Sequence, residues 1–373
     1  MSASSSRPPR VLHVVTGGFS GATQVALDLV RAGQASGRSE PLLALRRKRQ
    51  TDPQRIEALR AQGLTVELLP GWSHLATIWA LVRLCRRVRP DVLVAHGFPE
   101  HLLGRWAGLL AGVPHLVHVE HNSRERYGRW RLWQARWLAR RTERIVGCSE
   151  GVRQSLLRLG MPAARTVAIS NGIRLEPFEA AEAHPFAQRV PGLVMAARFA
   201  GQKDHATLLH ALARLRERGL RPPLLLAGGG SERHRRAARR LAEQLGLLDQ
   251  VQFLGFHPGV PELLMRHQIA VLSSHYEGMP LSLVEGMAAG CVALGSAVPG
   301  IQELIEDGVT GRLVPHADPA AMADAIEALL RDTPAAAALA AAGRRQALQQ
   351  HSLALMLQRY EDLFVALATG NDR

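Results

Sequence analysis

The feature that most constrains the fold of this chain is a regular alternation of short β-rich runs with helix-like segments. The first run is VLHVV (11–15), which a Gly-rich turn and a helix-like segment follow. The same pattern recurs through runs at 42–45, 65–69, 91–96, 115–121, 144–149 and 166–170. Strands that alternate with helices form parallel sheets with both faces covered. The sequence therefore predicts an α/β fold.

The alternation lapses around 172–190, where prolines and mixed polarity indicate a linker. It then resumes from LVMAAR (193–198) to GRLV (311–314). A length of 373 residues suits about two domains. We therefore predict two tandem, doubly wound, Rossmann-like domains, 1–175 and 176–350. The last helix, within 351–373, is predicted to pack back toward the N-terminal domain.

The excess positive charge lies entirely in the N-terminal half. Residues 1–175 contain 27 Lys and Arg against 11 Asp and Glu, a net charge of +16, whereas the remainder has a net charge of −2. Such a charge favours phosphorylated substrates, an anionic membrane surface or nucleic acid as partners. No nucleic acid is expected, because the chain contains no recognition motif of a nucleic-acid-binding protein.

Targeting signals and cysteines narrow the class of protein further. No run reaches the ~18 uninterrupted apolar residues of a membrane-spanning helix. No apolar segment precedes VLHVV as a secretory signal requires, so we expect a cytoplasmic protein. Cys85, Cys148 and Cys291 lie far apart, and we expect buried, reduced thiols rather than disulfides or a zinc site.

Glycine and polar residues gather at the ends of the predicted strands, where open α/β sheets bind ligands. TGGFSGA (16–22) places Gly17 and Gly18 where the backbone can approach a ligand closely. This turn lacks the GxGxxG spacing and the acidic residue of a dinucleotide site. A plain tight turn is the alternative interpretation.

A cluster of ionisable residues ends the run HLVHVEHN (115–122). His118 and Glu120 share one side of the predicted strand, and His121 follows at the turn. A zinc site is a weak hypothesis, because the two histidines have no third partner in the sequence nearby. A histidine that faces an acceptor hydroxyl and a hydrogen-bonded structural histidine are the other interpretations.

The stretch HYEGMPLSLVEG (275–286) carries Glu277 and Glu285, eight positions apart. Gly278 and Pro280 between them disfavour a continuous helix, and proline is favoured at a helix start. Glu277 is therefore predicted on a turn, and Glu285 inside the following helix. The helix N-terminus between them offers backbone N–H groups to a phosphate. Two solvated carboxylates at a helix start are the alternative.

A second anion-binding feature is ARFAGQK (197–203). Arg198 follows a predicted strand, and Lys203 comes five residues later past a flexible turn. A guanidinium and an ammonium on one turn can grip a diphosphate from two sides. The alternative is a solvated basic turn.

The segment SRERYGRWRLWQARWLARR (123–141) combines tryptophans at helical spacing with many arginines. Trp130, Trp133 and Trp137 would share one helical face. This composition is typical of a helix that lies in a membrane interface. The alternative is an ordinary helix that buries its tryptophans against the sheet.

These stretches together resemble one family, the retaining family-4 glycosyltransferases with the GT-B fold. Glu277 and Glu285 resemble the family's twin-glutamate motif, and Arg198 with Lys203 resembles its diphosphate-binding pair. Two further stretches resemble the end of the family's first domain and its late C-terminal signature: VGCSEGVRQSL followed by AISNGI, and GSAVPGIQELIEDGVTGRLV. The resemblance covers nearly the whole chain. It implies two Rossmann-like domains that face each other across a cleft.

The resemblance also implies residue roles. Glu277 would contact hydroxyls of the donor sugar, and Arg198 and Lys203 would neutralise the leaving diphosphate. The catalytic histidine would be His121, with His118 as the alternative. The donor-binding residues would be Gly17, Gly18, Gly229, Phe256, Gly278, Met279, Pro280, Leu281, Ser282 and Glu285. The acceptor side would hold His96, His118 and Glu120.

The implied activity is transfer of a sugar from a nucleotide-diphosphate sugar to a glycan hydroxyl with retention of anomeric configuration. A UDP-sugar donor, a hexosyl or N-acetylhexosaminyl group, and a lipid-linked or cell-surface acceptor are expected, as in polysaccharide or lipopolysaccharide biosynthesis. No cofactor and no metal are expected, in keeping with the absence of a DxD triplet. The protein would attach peripherally to an anionic membrane surface through 124–141.

Two other functions stay open at this point. A sugar-nucleotide epimerase can share the GT-B architecture, and a basic non-enzymatic protein could bind a membrane or nucleic acid. One departure bears on specificity: Arg174 follows NGI, where the family often has an acidic residue. The sugar and the acceptor are therefore left open.

Overall fold

The computed structural model describes residues 7–49, 51–122 and 127–370, and it divides the chain into two units. Unit 1 contains the residues up to Asn171 together with those from Leu355 onward. Unit 2 runs from Gly172 to Ala354. The boundary between the units lies a few residues before the predicted one at 175.

Unit 1 is built on a seven-stranded sheet in the order β3-β2-β1-β4-β5-β6-β7, and every neighbouring pair is parallel. Its strands are β1 Arg10–Thr16, β2 Glu40–Arg46, β3 Val66–Leu69, β4 Val92–His96, β5 His115–Glu120, β6 Arg144–Gly147 and β7 Thr166–Ala168. Its helices are α1 Gly21–Ser36, α2 Pro53–Ala61, α3 His74–Val88, α4 Glu100–Ala111, α5 Arg129–Ala139 and α6 Glu150–Arg158, with a 3-10 turn at Ala163–Arg165.

Unit 2 is built on a six-stranded parallel sheet in the order β10-β9-β8-β11-β12-β13. Its strands are β8 Val190–Ala196, β9 Leu224–Ala227, β10 Val251–Gly255, β11 His267–Leu272, β12 Val292–Ser296 and β13 Gly311–Val314. Its helices are α7 His205–Glu217, α8 Glu232–Gln244, α9 Val260–Arg266, α10 Leu281–Ala288, α11 Pro299–Leu304, α12 Pro319–Arg331 and α13 Thr333–Gln350. The final helix, α14 Leu353–Thr369, belongs to unit 1 from Leu355 onward.

The predicted α/β class and the parallel sheets are confirmed, and each β-rich run overlaps one of these strands. The predicted linker around 172–190 is wrong. Two 3-10 helices occupy most of it, at Glu176–Ala183 and Phe186–Gln188, and Phe178 is buried in the apolar core of unit 2. Phe178 and Ala181, three positions apart, are the buried residues of the first of these 3-10 helices and pack it against the core.

The last helix contacts the rest of unit 1 through a partly exposed face and through a buried face. On its exposed face, Asp362 accepts a hydrogen bond from the Arg38 guanidinium at 2.7 Å. On its buried face, Phe364 meets the edge of the His13 ring, with 5.6 Å between ring centroids. His13, in β1, is therefore shielded from water where α14 packs on it.

The arginine- and tryptophan-rich segment forms a shorter helix than predicted. Residues 123–126 of the predicted 123–141 lie outside the described residues, and α5 covers Arg129–Ala139. Trp130 and Trp133 stack on each other at 4.8 Å and are 66% and 52% exposed. The interpretation that both are buried against the sheet is therefore wrong, whereas Trp137 does pack, on Trp106 of α4.

The strand orders identify one switch point in each sheet. In unit 1 the order reverses between β1 and β4, and in unit 2 between β8 and β11. Loops that leave the carboxyl ends of such neighbouring strands go to opposite faces and leave a crevice between them. Gly17 and His96 lie at the unit 1 switch point, and Arg198 and Glu277 follow the two strands at the unit 2 switch point.

All three cysteines are buried thiols and none is in a disulfide, as the sequence predicts. Among the described residues, no helix combines the length and the apolar character that crossing a membrane requires.

Candidate active site

An ion pair joins the two loops at the unit 2 switch point. Lys203 ends the 3-10 helix Gly201–Lys203, which follows β8, and Glu277 lies in the loop after β11. The Lys203 Nζ atom is 2.5 Å from Glu277 Oε1, and the two side chains are only 14% and 7% exposed. A pair shielded this well from water is held in a fixed geometry by mutual attraction and by the cost of separating either charge.

Backbone and side-chain hydrogen bonds fasten the same two loops together. Gln202 Nε2 donates to the Tyr276 carbonyl at 2.7 Å, and the His275 N–H donates to the Gln202 carbonyl at 2.8 Å. The Ser273 hydroxyl donates to the Asp204 carbonyl at 2.8 Å. These hydrogen bonds therefore hold the two loops that carry the Lys203–Glu277 pair in a fixed arrangement.

Arg198 differs from Lys203 in its surroundings. It lies two residues beyond the end of β8 and is exposed to solvent. Of the two cations predicted to grip one diphosphate, Lys203 already has a carboxylate partner within unit 2. Lys203 and Glu277 consequently form a single ion pair, in which the carboxylate fixes the position of the ammonium group.

The local structure of 277–285 is as the sequence predicts. Pro280 is the N-cap of α10, Glu277 lies on the turn before it, and Glu285 lies in the second half of the helix. The turn is supported by α11, because a Cβ atom at Gly300 would lie 2.6 Å from the Glu277 and Gly278 carbonyl oxygens. Gly278, Met279, Leu281 and Ser282 thus flank the start of a helix whose dipole favours an anion there.

Glu285 has an unusual ionisation state for a carboxyl group. Burial raises the pKa of Glu285 to about 7, since a carboxylate loses hydration there. Near neutral pH the group is therefore close to half protonated. Hydroxyl donors from a ligand would stabilise the ionised form.

The turn after β9 brings a glycine against the turn after β8. Gly228 has φ of +155°, and a Cβ atom there would lie 2.1 Å from the Ala197 carbonyl oxygen. Gly229 has open space beside it. Phe256, directly after β10, is 85% exposed, so its ring and backbone are accessible at the same sheet edge.

In unit 1, Gly17 is required by the chain's own packing. Its N–H donates to the Arg46 carbonyl at 2.8 Å, and its carbonyl accepts from the Thr51 hydroxyl at 3.0 Å. A Cβ atom at Gly17 would lie 2.8 Å from that Arg46 oxygen. Gly18 donates to the Thr16 hydroxyl at 3.3 Å. The role of both glycines toward a donor stays a prediction.

Three histidines form a hydrogen-bonded row in unit 1. His121 Nε2 is 3.2 Å from His96 Nδ1, and His96 Nε2 is 3.1 Å from His13 Nδ1. Burial lowers the pKa of His121 to about 4 and that of His13 to about 3, and it also lowers the pKa of His96 well below its usual value. All three rings are therefore neutral at neutral pH. The sequence analysis missed His13, although a histidine in the apolar run VLHVV was a signal.

His118 and Glu120 share one side of β5, as predicted, with 3.5 Å between His118 Nε2 and Glu120 Oε2. Glu120 Oε1 accepts from the His121 backbone N–H at 2.9 Å, which fixes the turn that carries the catalytic candidate. The His118 ring stacks on His101 of α4, with 4.1 Å between centroids. His101 in turn contacts Arg105, whose fully buried guanidinium has its pKa lowered to about 10 by desolvation. The sequence did not predict the contact between His101 and Arg105, because i,i+4 spacing on a helix does not show whether the two side chains are buried.

This cluster of buried side chains on α4 and β5 contains three potential metal ligands. His101, His118 and Glu120 each bring one potential ligand atom within 4.8 Å of the others. Two stacked imidazoles direct their in-plane lone pairs side by side rather than at one point, which tetrahedral ligation needs. A buried guanidinium beside His101 also repels a cation. The geometry therefore does not suit a metal, and metal independence of the reaction stays a prediction.

Both halves of the chain match glycosyltransferase family models. Residues 178–346 match glycosyl transferases group 1, and residues 20–172 match the glycosyl transferase 4-like domain. EpsF of Bacillus subtilis (strain 168), to which glycosyltransferase activity is ascribed, is 30% identical over 299 residues, which cover 75% of this chain and 77% of EpsF. The chain belongs to the group 1 glycosyltransferases.

Two further comparisons support this membership and the GT-B fold. The UDP-Gal:alpha-D-GlcNAc-diphosphoundecaprenol alpha-1,3-galactosyltransferase of Escherichia coli is 24% identical over 258 residues, 65% of this chain and 67% of that enzyme. The crystal structure of HepE from Anabaena in complex with UDP and glucose aligns with a TM-score of 0.81 at 20% identity, covering 96% of this chain and all of that one. The resemblance drawn from the motifs is thereby confirmed, and this glycosyltransferase has the GT-B fold.

The Lys203–Glu277 pair predicts a stability loss that depends on which partner is removed. Lys203→Met should lower the free energy of unfolding by about 3 kcal/mol, because it leaves a shielded carboxylate uncompensated. The double variant Lys203→Met/Glu277→Gln should regain most of that loss. Urea unfolding monitored by circular dichroism measures both. Arg218→Met, which breaks two exposed ion pairs between the end of α7 and α12, is the matched control and should cost less than about 1 kcal/mol. An equal, small loss in Lys203→Met and in the control would contradict this account.

Proposed function

We propose that this glycosyltransferase moves a hexosyl or N-acetylhexosaminyl group from a UDP-sugar to a hydroxyl of a lipid-linked glycan, with retention and without a metal. The Lys203–Glu277 pair, placed beside the N-terminus of α10, is the observation that carries the proposal. HepE in complex with UDP and glucose, and the Escherichia coli enzyme named for UDP-Gal and a diphosphoundecaprenol acceptor, support the donor and the acceptor class.

The charges account for the chemistry at the leaving group. The bond between the anomeric carbon and the diphosphate oxygen breaks, and negative charge grows on the diphosphate. In this proposal Arg198, Lys203 and the first N–H groups of α10 stabilise that charge. These cationic groups supply what a metal ion supplies elsewhere.

The sugar and the acceptor complete the balance of the reaction. The sugar gains oxocarbenium character, and the Glu277 carboxylate accepts hydrogen bonds from its hydroxyls. The acceptor hydroxyl adds to the anomeric carbon on the face that the diphosphate leaves, which retains the configuration. Its proton passes to an oxygen of the departing diphosphate. Glu285 would accept hydrogen bonds from the ribose hydroxyls, with the base near Gly229 and Phe256.

His121 is proposed as the catalytic histidine, acting as a neutral hydrogen-bonding group. Its low pKa makes it a poor store of a proton at neutral pH, so it orients a hydroxyl rather than acting as an acid. His96 contacts its ring and Glu120 accepts from its backbone N–H, whereas the His118 ring stacks on His101. On the acceptor side, His96 and Glu120 are therefore positioning residues.

We further propose that the exposed part of α5 and its flanks attach the protein to an anionic membrane. Stacked Trp130 and Trp133 are the exposed anchors, and the arginines of 127–141 supply positive charge. Residues 124–126 of the predicted membrane segment lie outside the described residues.

Transfer activity tests the proposed function directly. In a panel of UDP-, GDP-, ADP- and dTDP-sugars, we expect the UDP-sugars to raise the melting temperature most and to support transfer. Lys203→Met should lower kcat about a hundredfold, because one preorganised charge at the leaving group is lost. Arg331→Met, on the exposed side of α12, should leave kcat unchanged. NMR of the product should show the anomeric configuration of the donor.

Other outcomes of this assay identify the alternatives. Conversion of the sugar nucleotide to an epimer without an acceptor would mean an epimerase. Salt-sensitive binding of DNA or RNA, with no affinity for sugar nucleotides, would mean a non-enzymatic basic protein.

The raised pKa of Glu285 predicts pH-dependent binding of the donor. In the free protein the carboxyl titrates near pH 7, and ribose hydroxyls that donate to the carboxylate lower that pKa in the complex. Binding therefore releases a proton. The Kd for UDP-glucose should be constant well above pH 7 and rise by up to about tenfold per pH unit below it. Calorimetric titrations from pH 5 to pH 9 measure it, and Glu285→Gln should remove the dependence; an unchanged dependence in that variant would assign it to another group.

Sedimentation with vesicles tests the membrane proposal. Trp133→Glu should reduce co-sedimentation with phosphatidylserine-containing vesicles, since it replaces an exposed aromatic anchor by a negative charge, which the anionic lipid repels. Leu248→Glu, at an exposed site of unit 2, is the control and should not change co-sedimentation. If both variants sediment as the unaltered protein does, α5 is only part of the fold.

A further inference from the structure

A large apolar groove opens between α3, α4 and α5 of unit 1. Its volume is about 500 Å³, and most of the atoms that line it are carbon. Leu75, Trp79 and Val82 of α3 form one wall, and Leu102 and Trp106 of α4 form the other. None of the residues assigned above to donor or catalysis lines it.

The groove is elongated along the two helices. The lining positions on α3 extend from His74 to Arg86, and those on α4 and its N-cap from Pro99 to Leu110. Each set spans about three helical turns, or about 16 Å at a rise of 1.5 Å per residue. Both helices follow parallel strands, so they start at the same sheet edge. This shape suits an extended chain better than a compact ring.

One end of the groove lies at the sheet edge that carries the candidate active site of unit 1. Arg131, a lining residue, stacks its guanidinium over Phe98 at 5.2 Å. Phe98 follows β4, two residues after His96. A molecule that lies in the groove can therefore extend past Arg131 toward the His96–His121 pair.

The charge around the groove is positive at that end. Arg131 supplies that charge, His74 beside it is a neutral imidazole because burial lowers its pKa, and Arg86 lines the opposite end. Among the described residues that line the groove, none is acidic. The nearby carboxylate of Glu100 is already paired with Arg46 at 3.2 Å and with Lys48 at 3.0 Å. The end near the active site is thus complementary to a phosphate group.

The walls leave large apolar side chains in contact with water. Trp79 is 63% exposed and Leu75 is 71% exposed. Such exposure within one contiguous patch marks a surface that a partner covers. Two facing walls enclose a single chain, whereas a bilayer surface covers a convex face.

We propose that this groove binds the hydrocarbon chain of a lipid-linked acceptor, with its phosphate group at the Arg131 and His74 end. The proposal rests on the proposed function and adds to it: the acceptor is a polyprenyl-diphosphate-type lipid whose chain is held by this enzyme itself. The phosphate end then points the attached glycan toward the edge with His121.

Direct binding tests the groove without any transfer reaction. Calorimetric titration with farnesyl diphosphate, compared with inorganic diphosphate, measures the contribution of the chain. Trp79→Glu should weaken farnesyl diphosphate binding by about tenfold or more, because it places a charge on an apolar wall. Trp72→Glu is the matched control: Trp72 is 85% exposed just before α3, does not line the groove, and should bind as the unaltered protein does. Inorganic diphosphate should bind more weakly and equally to all three.

Transfer to two acceptors then separates the groove from the proposed function. In detergent micelles, Trp79→Glu should raise KM for a polyprenyl-diphosphate-linked sugar and leave kcat and KM for a water-soluble sugar acceptor unchanged. Equal farnesyl diphosphate binding by Trp79→Glu and Trp72→Glu would overturn the groove proposal even if transfer occurs. Loss of vesicle co-sedimentation in Trp79→Glu without loss of farnesyl diphosphate binding would also overturn it, in favour of a membrane-docking face. Farnesyl diphosphate binding as expected, with no transfer to any acceptor, would instead overturn the proposed function.

Discussion

Parallel pairing of all neighbouring strands is the constraint on which the rest of this enzyme depends. Because every carboxyl end in a parallel sheet lies at one edge, residues far apart in sequence meet there. In unit 1 this edge gathers Gly17, His96 and His121, and in unit 2 it gathers Lys203 and Glu277. The helices contribute where their N-termini return to the same edge, as α10 does beside Glu277 and α4 does beside His96.

The two units use that edge with different electrostatics. Unit 2 holds the shielded Lys203–Glu277 ion pair, which fixes the two loops that carry it. In unit 1 burial is so complete that the histidines lose their charge, and their rings interact through hydrogen bonds and stacking. The ion pair of unit 2 suits a diphosphate, and the neutral rings of unit 1 suit uncharged hydroxyl groups. A charged ring in unit 1 would attract other polar groups and so compete with those hydroxyl groups.

Local patterns in the sequence predicted most of the fold and part of the candidate site. The alternation of strands and helices predicted both sheets, and Gly278 with Pro280 placed Glu277 and Glu285 correctly on a turn and in a helix. The sequence did not predict that Lys203 pairs with Glu277, because 74 positions separate them and only the folding of β8 beside β11 brings them together. For the same reason the groove, made from three separate helices, and the contact of His13 with His96 were not predicted. The prediction of a linker at 172–190 was wrong because prolines indicate turns both in linkers and in segments that pack against a core.

The row of His13, His96 and His121 has a consequence for the polarity of the hydrogen bond that the site offers. A neutral imidazole carries a single proton, so each ring in the row donates through one nitrogen and accepts through the other. Reversing one contact reverses the other, and the row has only two joint arrangements. In one arrangement His121 Nδ1 is a lone pair, and in the other it is an N–H group. The choice is shared with a ring in the middle of β1, so a core strand takes part in deciding whether His121 Nδ1 donates or accepts a hydrogen bond.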